Sequence, residues 1–273
     1  MIVFPNAKIN LGLNVIRKRS DGYHDIESVL WPIKLCDILE IIPAPDKQFR
    51  FYKSGASLPD DWKPNLCEQA WQLLHNRFGI DPVHVFLHKI IPAGSGLGGG
   101  SSDAAFTIKA LNQFFSLDQS KENLANLALM IGSDCPFFIE NKPMIARSRG
   151  ETLEPISLPL NGLNLLLIVP NVHVSTAFAY SKVKPREPQK PLREILSFSV
   201  NNWQNNLQND FEEPVFDEFP SLREIKEQLL RSGAIYASMS GSGSSVFGLF
   251  ENPISDSVQE AFAGYFFWKE QLA

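Results

Sequence analysis

Residues 92–105 read Pro-Ala-Gly-Ser-Gly-Leu-Gly-Gly-Gly-Ser-Ser-Asp-Ala-Ala, and five of the seven residues from Gly94 to Gly100 are glycine. Such a run is costly inside any regular element, because glycine loses more backbone freedom on folding than other residues. Here it follows an apolar segment, Val83 to Ile91, that predicts a strand, and it precedes a helical pattern from about Ser102 to Phe115. Accessible backbone N–H groups, not covered by side chains, just before a helix are typical of a phosphate-binding loop. A flexible hinge is the alternative, but a hinge needs no glycine run at a helix start.

Two other kinds of phosphate loop fit this stretch less well. The loop of P-loop nucleotide triphosphatases closes with Gly-Lys-Ser/Thr, and no lysine lies in this run. Gly94, Gly96 and Gly99 match the G-x-G-x-x-G spacing of dinucleotide-binding folds. That fold also needs a second parallel strand ending in an acidic residue about 20 residues further on. Asp118 has that distance but leads into a second predicted helix, so this reading is disfavoured.

Composition favours a packed enzyme over a nucleic-acid or membrane-surface protein. The chain has 273 residues, 44% hydrophobic and 20% charged, which predicts a large core and two modest domains. Its net charge is −5 and no basic tract occurs, so nucleic-acid and membrane partners are not expected. The three cysteines are too few and too scattered for a disulfide framework and lack C-x-x-C metal spacing.

The sequence also predicts a soluble, cytoplasmic protein. The start, Met1-Ile2-Val3-Phe4-Pro5, lacks the basic residues and long apolar run of a signal peptide. Leu163 to Val169 is too short to span a bilayer and predicts a central strand instead. We expect a monomer or a weak homodimer.

Other elements follow from periodicity and capping signals. Alternation from Ala7 to Val15 predicts a half-buried strand with Lys8 and Asn10 on its less apolar face. The remaining predictions are a polar turn over Arg17–His24, a strand over Asp37–Ile42, strand and loop material over Pro43–Pro64, a helix over Leu66–Phe78, a helix capped by Ser120, a loop over Lys182–Pro191, capping boxes at Ser221/Glu224 and Ser257/Glu260, and strands over Ile235–Ser240 and Ser245–Phe250.

Three motifs in the same order resemble those of the GHMP kinases, which include galactokinase, homoserine kinase, mevalonate kinase and phosphomevalonate kinase. The first is Ala7-Lys8-Ile9-Asn10-Leu11-Gly12-Leu13, the second is the glycine loop, and the third is Met239-Ser240-Gly241-Ser242-Gly243 followed by Val246-Phe247-Gly248. The resemblance implies an α+β GHMP kinase fold. An N-terminal domain over residues 1–155, similar to domain 2 of ribosomal protein S5, is expected to bind ATP. A ferredoxin-like C-terminal domain is expected over residues 156–273.

The resemblance also implies the nucleotide site. ATP is expected to bind with Mg²⁺ bridging its phosphates, and no protein ligand set for the metal is legible in the sequence. Ser102 is the candidate hydroxyl near the metal. The candidate ATP-binding residues are Asn65, Leu66, Pro92, Ala93, Gly94, Ser95, Gly96, Leu97, Gly98, Gly99, Gly100, Ser101 and Ser102, with Asn65 and Leu66 assigned to the adenine pocket.

Finer matches point to one branch of the family. Segments Lys18–Ser28, Gly132–Phe138, Arg147–Glu151 and Pro170–Tyr180 resemble the kinases that phosphorylate the C2 hydroxyl of cytidine diphosphate-linked methylerythritol, in the non-mevalonate route to isoprenoids. A GHMP kinase acting on homoserine or mevalonate is the alternative, and Gly22-Tyr23-His24 counts against it. A nucleotide-binding regulator without kinase activity is disfavoured because Lys8 and Asp134 are both present.

The resemblance assigns catalysis to two residues. Asp134 is the expected general base for the substrate hydroxyl, although Asp ahead of Pro136 also suits a helix N-cap. The Lys8 ammonium is expected to lower the pKa of that carboxylate and to stabilise the negative charge that develops during transfer. A solvated edge lysine is the simpler alternative for Lys8.

Substrate contacts are implied in the same way. Tyr23 and Tyr180 are expected to sandwich cytosine, and His24 is expected to bond its edge, with ordinary packed tyrosines as the alternative. Asn10 is expected to touch the erythritol hydroxyls, and Arg149 a substrate phosphate unless it is a plain surface arginine. Thr176 and Gly241 complete the expected substrate-binding set.

Overall fold

The computed structural model describes residues 1–56 and 65–272. Its strands are β1 (Ile2–Val3), β2 (Asn6–Lys18), β3 (His24–Cys36), β4 (Ile38–Pro43), β5 (Arg50–Gly55), β6 (Val83–Lys89), β7 (Met144–Ser148), β8 (Thr152–Pro155), β9 (Asn164–Val169), β10 (Tyr236–Met239), β11 (Val246–Phe250) and β12 (Phe266–Gln271). Of the segment predicted over Pro43–Pro64, β5 is a strand and residues 57–64 lie outside the described ranges.

The helices confirm the predicted α+β class. They are α1 (Leu66–Phe78), α2 (Gly99–Phe114), α3 (Lys121–Leu129), α4 (Cys135–Glu140), α5 (Thr176–Lys182), α6 (Leu192–Leu196), α7 (Glu212–Glu218), α8 (Pro220–Arg231) and α9 (Asp256–Glu260), with a 3-10 helix at Val200–Asn205. Within the described residues, none of them is both long and apolar enough to cross a membrane.

The chain packs as two compact units, each built from separate stretches. The first comprises Met1–Lys8, Pro32–Ala93 and Gly98–Lys142. The second comprises Ile9–Trp31, Gly94–Leu97 and Pro143–Ala273. The two units are distinguished by how closely their residues pack together. The domain boundary expected at residue 155 stays a prediction.

The first unit is a sheet in the order β1-β4-β6-β5, together with helices α1 to α4. Strands β4 and β6 run antiparallel, whereas β5 and β6 run parallel. Helix α2 packs against α1 and α4 and also contacts β4. Because α2 starts where the glycine run ends, this packing positions the loop's helix.

A buried charge network anchors the same region of the first unit. The ammonium of Lys89, at the end of β6, is bonded to Asp37 and lies 2.7 Å from Asp103 Oδ2, near the start of α2. All three residues are at most 3% exposed. Asp37 Oδ1 accepts the backbone N–H groups of Ile90 (2.6 Å) and Ile91 (2.9 Å), just before the glycine loop. Burial and the negative charge of Asp37 raise the pKa of Asp103, while Lys89 lowers it.

The second unit contains two sheets. One has the order β10-β11-β9-β12, and β9 runs antiparallel to both of its neighbours, which confirms its predicted central position. Helix α8 covers β10 and β11, and a core that includes Leu166, Phe211 and Leu229 fills this layer. The other sheet has the order β2-β3-β7-β8, and most of it belongs to this unit; the start of β2, which includes Lys8, and the end of β3 belong to the first unit.

Some predicted helix starts are correct and others are wrong. Asn65 caps α1 through Cys67 N, Glu68 bonds back to the Asn65 N–H, and Gly79 ends the helix in the left-handed region. Ser120 caps α3 as predicted. The two further capping boxes do not form. Helix α8 begins at Pro220, which places Ser221 inside the first turn, and α9 is preceded by Ser255 instead of Ser257. A proline suits the first helical turn, since its fixed φ matches the helix and its missing N–H is not needed there.

Removal of the Lys89 charge is expected to destabilise the protein strongly. Lys89→Met leaves the carboxylates of Asp37 and Asp103 buried without their cation, which costs about 3–5 kcal/mol in comparable buried pairs. Urea unfolding measures the loss, with Lys269→Met on the exposed face of β12 as the control.

The pH dependence of that loss provides an independent check. Burial raises the native pKa of Asp103, and without the opposing Lys89 charge this pKa rises further, so the folded variant binds more protons than the unfolded chain. The deficit relative to wild type is therefore expected to shrink as pH falls. Equal stability of Lys89→Met and Lys269→Met at neutral pH would show that the network carries no such role.

Candidate active site

The glycine run is a loop whose last turn opens helix α2. Three glycines have the positive φ that favours glycine: Gly94 (65°), Gly96 (80°) and Gly98 (70°). Gly98 is the N-cap residue of α2, and its carbonyl accepts the N–H of Ser102 at 2.9 Å. Gly99, Gly100, Ser101 and Ser102 form the first turn of the helix.

A side chain at Gly98 would pack tightly against its neighbours, which would have to shift slightly. A Cβ atom there would be 3.0 Å from the Phe138 ring and 3.2 Å from Cε of Lys8. The stem of Lys8 therefore passes directly against the turn that precedes α2. Two motifs far apart in sequence, on β2 and in the glycine loop, meet at this point within the first unit.

Lys8 is a buried cation with a carboxylate acting on it. Lys8 is only 4% exposed, which argues against a solvated edge lysine. Burial lowers the pKa of Lys8, and the negative charge of Asp134 opposes that change. Asp134 occupies the N-cap position of α4, yet its side chain makes no capping hydrogen bond. Its carboxylate is thus not used for capping, and it interacts electrostatically with the Lys8 ammonium.

The first turn of α2 offers a buried hydroxyl without a partner. Ser102 is fully buried, and no hydrogen bond to its Oγ exists among the described residues. Such a group costs free energy unless a ligand or water satisfies it. No cluster of three or more His, Cys, Asp or Glu residues in the described part of the chain could hold a metal ion. Ser102 Oγ therefore fits a Mg²⁺ that takes most of its ligands from phosphates and water.

The predicted adenine-pocket residues have structural roles of their own. Asn65 Oδ1 accepts Cys67 N at 2.8 Å, so its side chain caps α1. Leu66 Cδ1 would lie 3.6 Å from a Cβ atom at Gly100, an ordinary contact, which places Leu66 beside the loop's helix. Pro92 and Ala93 are half-buried and connect β6 to the glycines. Their contact with adenine stays a prediction.

The third motif holds the middle of the glycine loop within the second unit. Ser245 Oγ donates to the carbonyl of Ser95 at 2.6 Å, and Ser240 Oγ donates to that of Gly96 at 3.0 Å. A Cβ atom at Gly241 would be 3.3 Å from both Asn10 Oδ1 and the Gly96 carbonyl. Leu97 is buried and fixes the end of this stretch.

Asn10 is tied into this arrangement. Its backbone N–H donates to Ser240 Oγ at 3.1 Å, and its Nδ2 donates to Ser28 Oγ at 2.8 Å. Asn209, which no motif indicated, donates from Nδ2 to the carbonyls of Met239 and Gly241, each at 2.8 Å. The sequence did not indicate Ser28 and Asn209, because each forms hydrogen bonds with residues distant in the chain.

The residues expected to bind cytosine form two pairs in the second unit. His24 stacks on Tyr180, with ring centroids 4.8 Å apart. Tyr23 is 57% exposed, and the Arg149 guanidinium lies 5.1 Å from its ring centroid. Burial, and then the nearby Lys18, lower the pKa of His24, which favours the neutral ring.

Thr176 is exposed at the start of α5, the helix that carries Tyr180. Its Oγ1 lies 3.2 Å from Ser242 Oγ, next to Gly241. Two of the predicted substrate-binding positions, Thr176 and Gly241, are therefore neighbours in the second unit.

Comparison with known proteins places these features in a family. Residues 65–142 match the family model described as GHMP kinases N terminal domain, and residues 190–266 match GHMP kinases C terminal. A crystal structure of 4-(cytidine 5'-diphospho)-2C-methyl-D-erythritol kinase has a TM-score of 0.83 and 33% identity, covering 98% of each chain. A crystal structure of mevalonate kinase has a TM-score of 0.76 at 16% identity, covering 98% of each chain, and shows the shared fold.

Curated relatives are similar over nearly the whole chain. A protein of Parabacteroides distasonis is 47% identical over 273 residues, which is 100% of both chains. One from Bacteroides fragilis is 49% identical over 252 residues, covering 92% of each. Both are named 4-diphosphocytidyl-2-C-methyl-D-erythritol kinase.

The chain belongs to the GHMP kinases, which confirms the predicted fold and the kinase class. Within that family, it groups with the 4-diphosphocytidyl-2-C-methyl-D-erythritol kinases. Membership of a kinase family implies the use of ATP.

A side chain at Gly98 is expected to weaken nucleotide binding. Gly98→Ala would strain a φ of 70° and press on Phe138, so the turn must shift. Strain of this kind costs about 1–3 kcal/mol, which corresponds to an affinity loss of about five- to 150-fold if the loop relaxes by moving. Calorimetry with ATP measures the loss, and circular dichroism checks the fold.

Gly79→Ala is the matched control. Gly79 has a φ of 66°, but a Cβ atom there has nothing within 4 Å. This variant should lose stability without losing ATP affinity. Unchanged affinity in a folded Gly98→Ala protein would contradict the assignment of the loop to phosphate binding.

Proposed function

We propose that this chain transfers the γ-phosphoryl group of ATP to the C2 hydroxyl of 4-diphosphocytidyl-2-C-methyl-D-erythritol, a step in the non-mevalonate route of isoprenoid biosynthesis. The names of its close relatives support the substrate. The structural observation that carries the proposal is the Lys8 ammonium, buried against the turn at Gly98 and under the influence of the Asp134 carboxylate.

Asp134 acts as the general base in this proposal. The C2 hydroxyl oxygen forms a bond to the γ-phosphorus, and the bond from that phosphorus to the β–γ bridging oxygen breaks. The hydroxyl proton passes to the Asp134 carboxylate, and ADP leaves. A carboxylate not used for capping suits this role, since no helix N–H competes with the substrate proton for it.

Lys8 supplies positive charge where negative charge develops. Phosphoryl transfer depends mainly on positioning and charge neutralisation, and a buried cation acts more strongly than a solvated one. Its low exposure keeps the ammonium in a fixed place beside Gly98. Asp134 in turn favours the charged form of Lys8.

The glycine loop binds the ATP phosphates through backbone N–H groups at the start of α2. The helix dipole adds to this attraction, since the positive end of α2 lies at Gly99. Mg²⁺ would be held by the phosphates and by Ser102 Oγ, and it would neutralise phosphate charge. Asn65, Leu66, Pro92 and Ala93 are assigned to the adenine end of the same nucleotide.

Cytosine recognition is assigned to Tyr23, His24 and Tyr180. A neutral imidazole has one donor and one acceptor nitrogen, so His24 can bond a pyrimidine edge. A wrong base would leave buried polar groups unpaired, which gives discrimination. Asn10, Thr176 and Gly241 are assigned to the polyol and its diphosphate.

The cellular setting remains part of the proposal. The three cysteines are free thiols, and Cys67 and Cys135 are buried. Reduced thiols suit the cytoplasm, where we place the enzyme. We also propose that it acts as a monomer or a weak homodimer.

The cytidylyl group is expected to decide which substrate is used. Methylerythritol 4-phosphate carries the same C2 hydroxyl without cytidine, so its kcat/KM should be far lower than that of the cytidylyl substrate. Stacking of one base contributes about 1–3 kcal/mol, so Tyr23→Ala should raise the KM of the cytidylyl substrate by about five- to 150-fold. The KM for ATP should not change.

Tyr52→Ala serves as the control, because Tyr52 is also exposed (39%) but stacks on Phe86 in the first unit. It should leave both KM values near wild type. Equal efficiency on the two substrates would refute cytosine recognition, and the chain would then be a GHMP kinase of another specificity.

A further inference from the structure

Arg149 lies in the turn between β7 and β8, above the ring of Tyr23. The distance from its guanidinium carbon to the ring centroid is 5.1 Å, within the range of a cation–π interaction. The turn is tight, since Ser148 and Gly150 both have positive φ values, 63° and 110°. Both residues of the pair belong to the second unit.

Hydrogen bonds fix the position of Arg149. Glu151 Oε2 accepts the Arg149 backbone N–H at 2.7 Å, and Glu151 Oε1 accepts its Nε at 3.3 Å. Ser148 Oγ donates to the same Glu151 oxygen at 3.3 Å and accepts Nη1 of Arg19 at 3.2 Å. These hydrogen bonds link the turn to Arg19, the first residue of the β2–β3 connection.

Hydrogen bonds to Asp21 and Arg19 hold the backbone of Tyr23. Its N–H donates to Asp21 Oδ1 at 3.0 Å, and its carbonyl accepts the Arg19 N–H at 2.8 Å. The Tyr23 ring remains 57% exposed, so the backbone alone does not determine where the ring points. The Arg149 guanidinium lies over one face of this ring.

The charges around Arg149 count against a phosphate contact. Glu151 is bonded to its Nε, and the positive charge of Arg149 also contributes to the lowered pKa of Asp21, after the hydrogen bond from Tyr23 N–H. A substrate phosphate would have to compete with the bonded Glu151 carboxylate for the guanidinium. The Glu151 carboxylate, bonded to both the backbone N–H and Nε of Arg149, fixes the arginine beside the ring, which favours a positioning role.

We propose that Arg149 is a positioning residue for Tyr23, covering one face of the ring and leaving the other face for cytosine. This inference rests on the proposed function, because it requires a cytidylyl substrate. It replaces the expectation that Arg149 binds a substrate phosphate.

Cytidine and CMP separate the two roles, since they differ only in the phosphate. We would measure their inhibition constants against the cytidylyl substrate for wild type, Arg149→Gln and Arg149→Lys. An exposed cation–π contact is worth about two- to fivefold in affinity, from 0.5–1 kcal/mol. Arg149→Gln should weaken cytidine and CMP by this same factor, while Arg149→Lys restores part of the affinity and the KM for ATP stays unchanged.

A double-mutant cycle with Tyr23→Ala tests whether Arg149 acts through the ring. In the Tyr23→Ala background, Arg149→Gln should have no further effect on cytidine. Arg147→Gln is the matched control, because Arg147 lies in the same strand pair and bonds Glu27 and Glu154. It should leave both inhibition constants unchanged.

The outcomes separate failure of this inference from failure of the proposed function. If Arg149→Gln weakens CMP but leaves cytidine unchanged, Arg149 contacts the phosphate and the positioning role is overturned. The same holds if its effect persists fully without Tyr23. If neither cytidine nor CMP inhibits the wild-type enzyme, cytosine recognition itself is wrong and the inference falls with it.

Discussion

The buried ammonium of Lys8, held against the turn at Gly98 and influenced by Asp134, is the interaction on which the proposed chemistry depends. A cation in this position is costly to bury, and burial lowers its pKa. The Asp134 carboxylate offsets part of that cost by favouring the charged form. Glycine suits position 98 because its φ of 70° strains other residues and because a Cβ atom there would lie a tight 3.2 Å from Lys8 Cε. The strand, the loop and helix α4 are therefore linked by one electrostatic and steric constraint.

Local signals predicted the elements whose start and end are encoded nearby. Helix α1 has the predicted bounds because Asn65 and Glu68 form a capping box and Gly79 provides a left-handed end. The continuous apolar run in β9 predicted a central strand, which the antiparallel pairing on both sides confirms.

Elements stabilised mainly by pairing were harder to predict. Strand β3, from His24 to Cys36, was missed because Pro32 interrupts it and its alternation is weak. Strand β12 was also missed, although it pairs with β9 along its whole length. Helix α8 began one residue before Ser221 because Pro220 occupies its first turn.

The candidate site was predictable where a motif carries the chemistry. The glycine run indicated a phosphate loop from residue types alone, and the resemblance to GHMP kinases added Lys8 and Asp134. Hydrogen bonds between distant residues, such as Asn209 to the carbonyls of Met239 and Gly241, leave no periodic signal in sequence. The same is true of Arg149 and Tyr23, which lie far apart in the sequence and are brought together only by the fold.

The most direct test of this account is the turnover of Asp134→Asn at saturating ATP and cytidylyl substrate. The substitution keeps the size of the side chain and removes its ability to take the hydroxyl proton. Loss of a positioned proton-transfer group costs about two to four decades in rate. The account predicts a fall in kcat of that size, with ATP affinity retained because the loop at Gly98 is intact. A kcat near that of the wild type would show that Asp134 is not the base and would contradict the account.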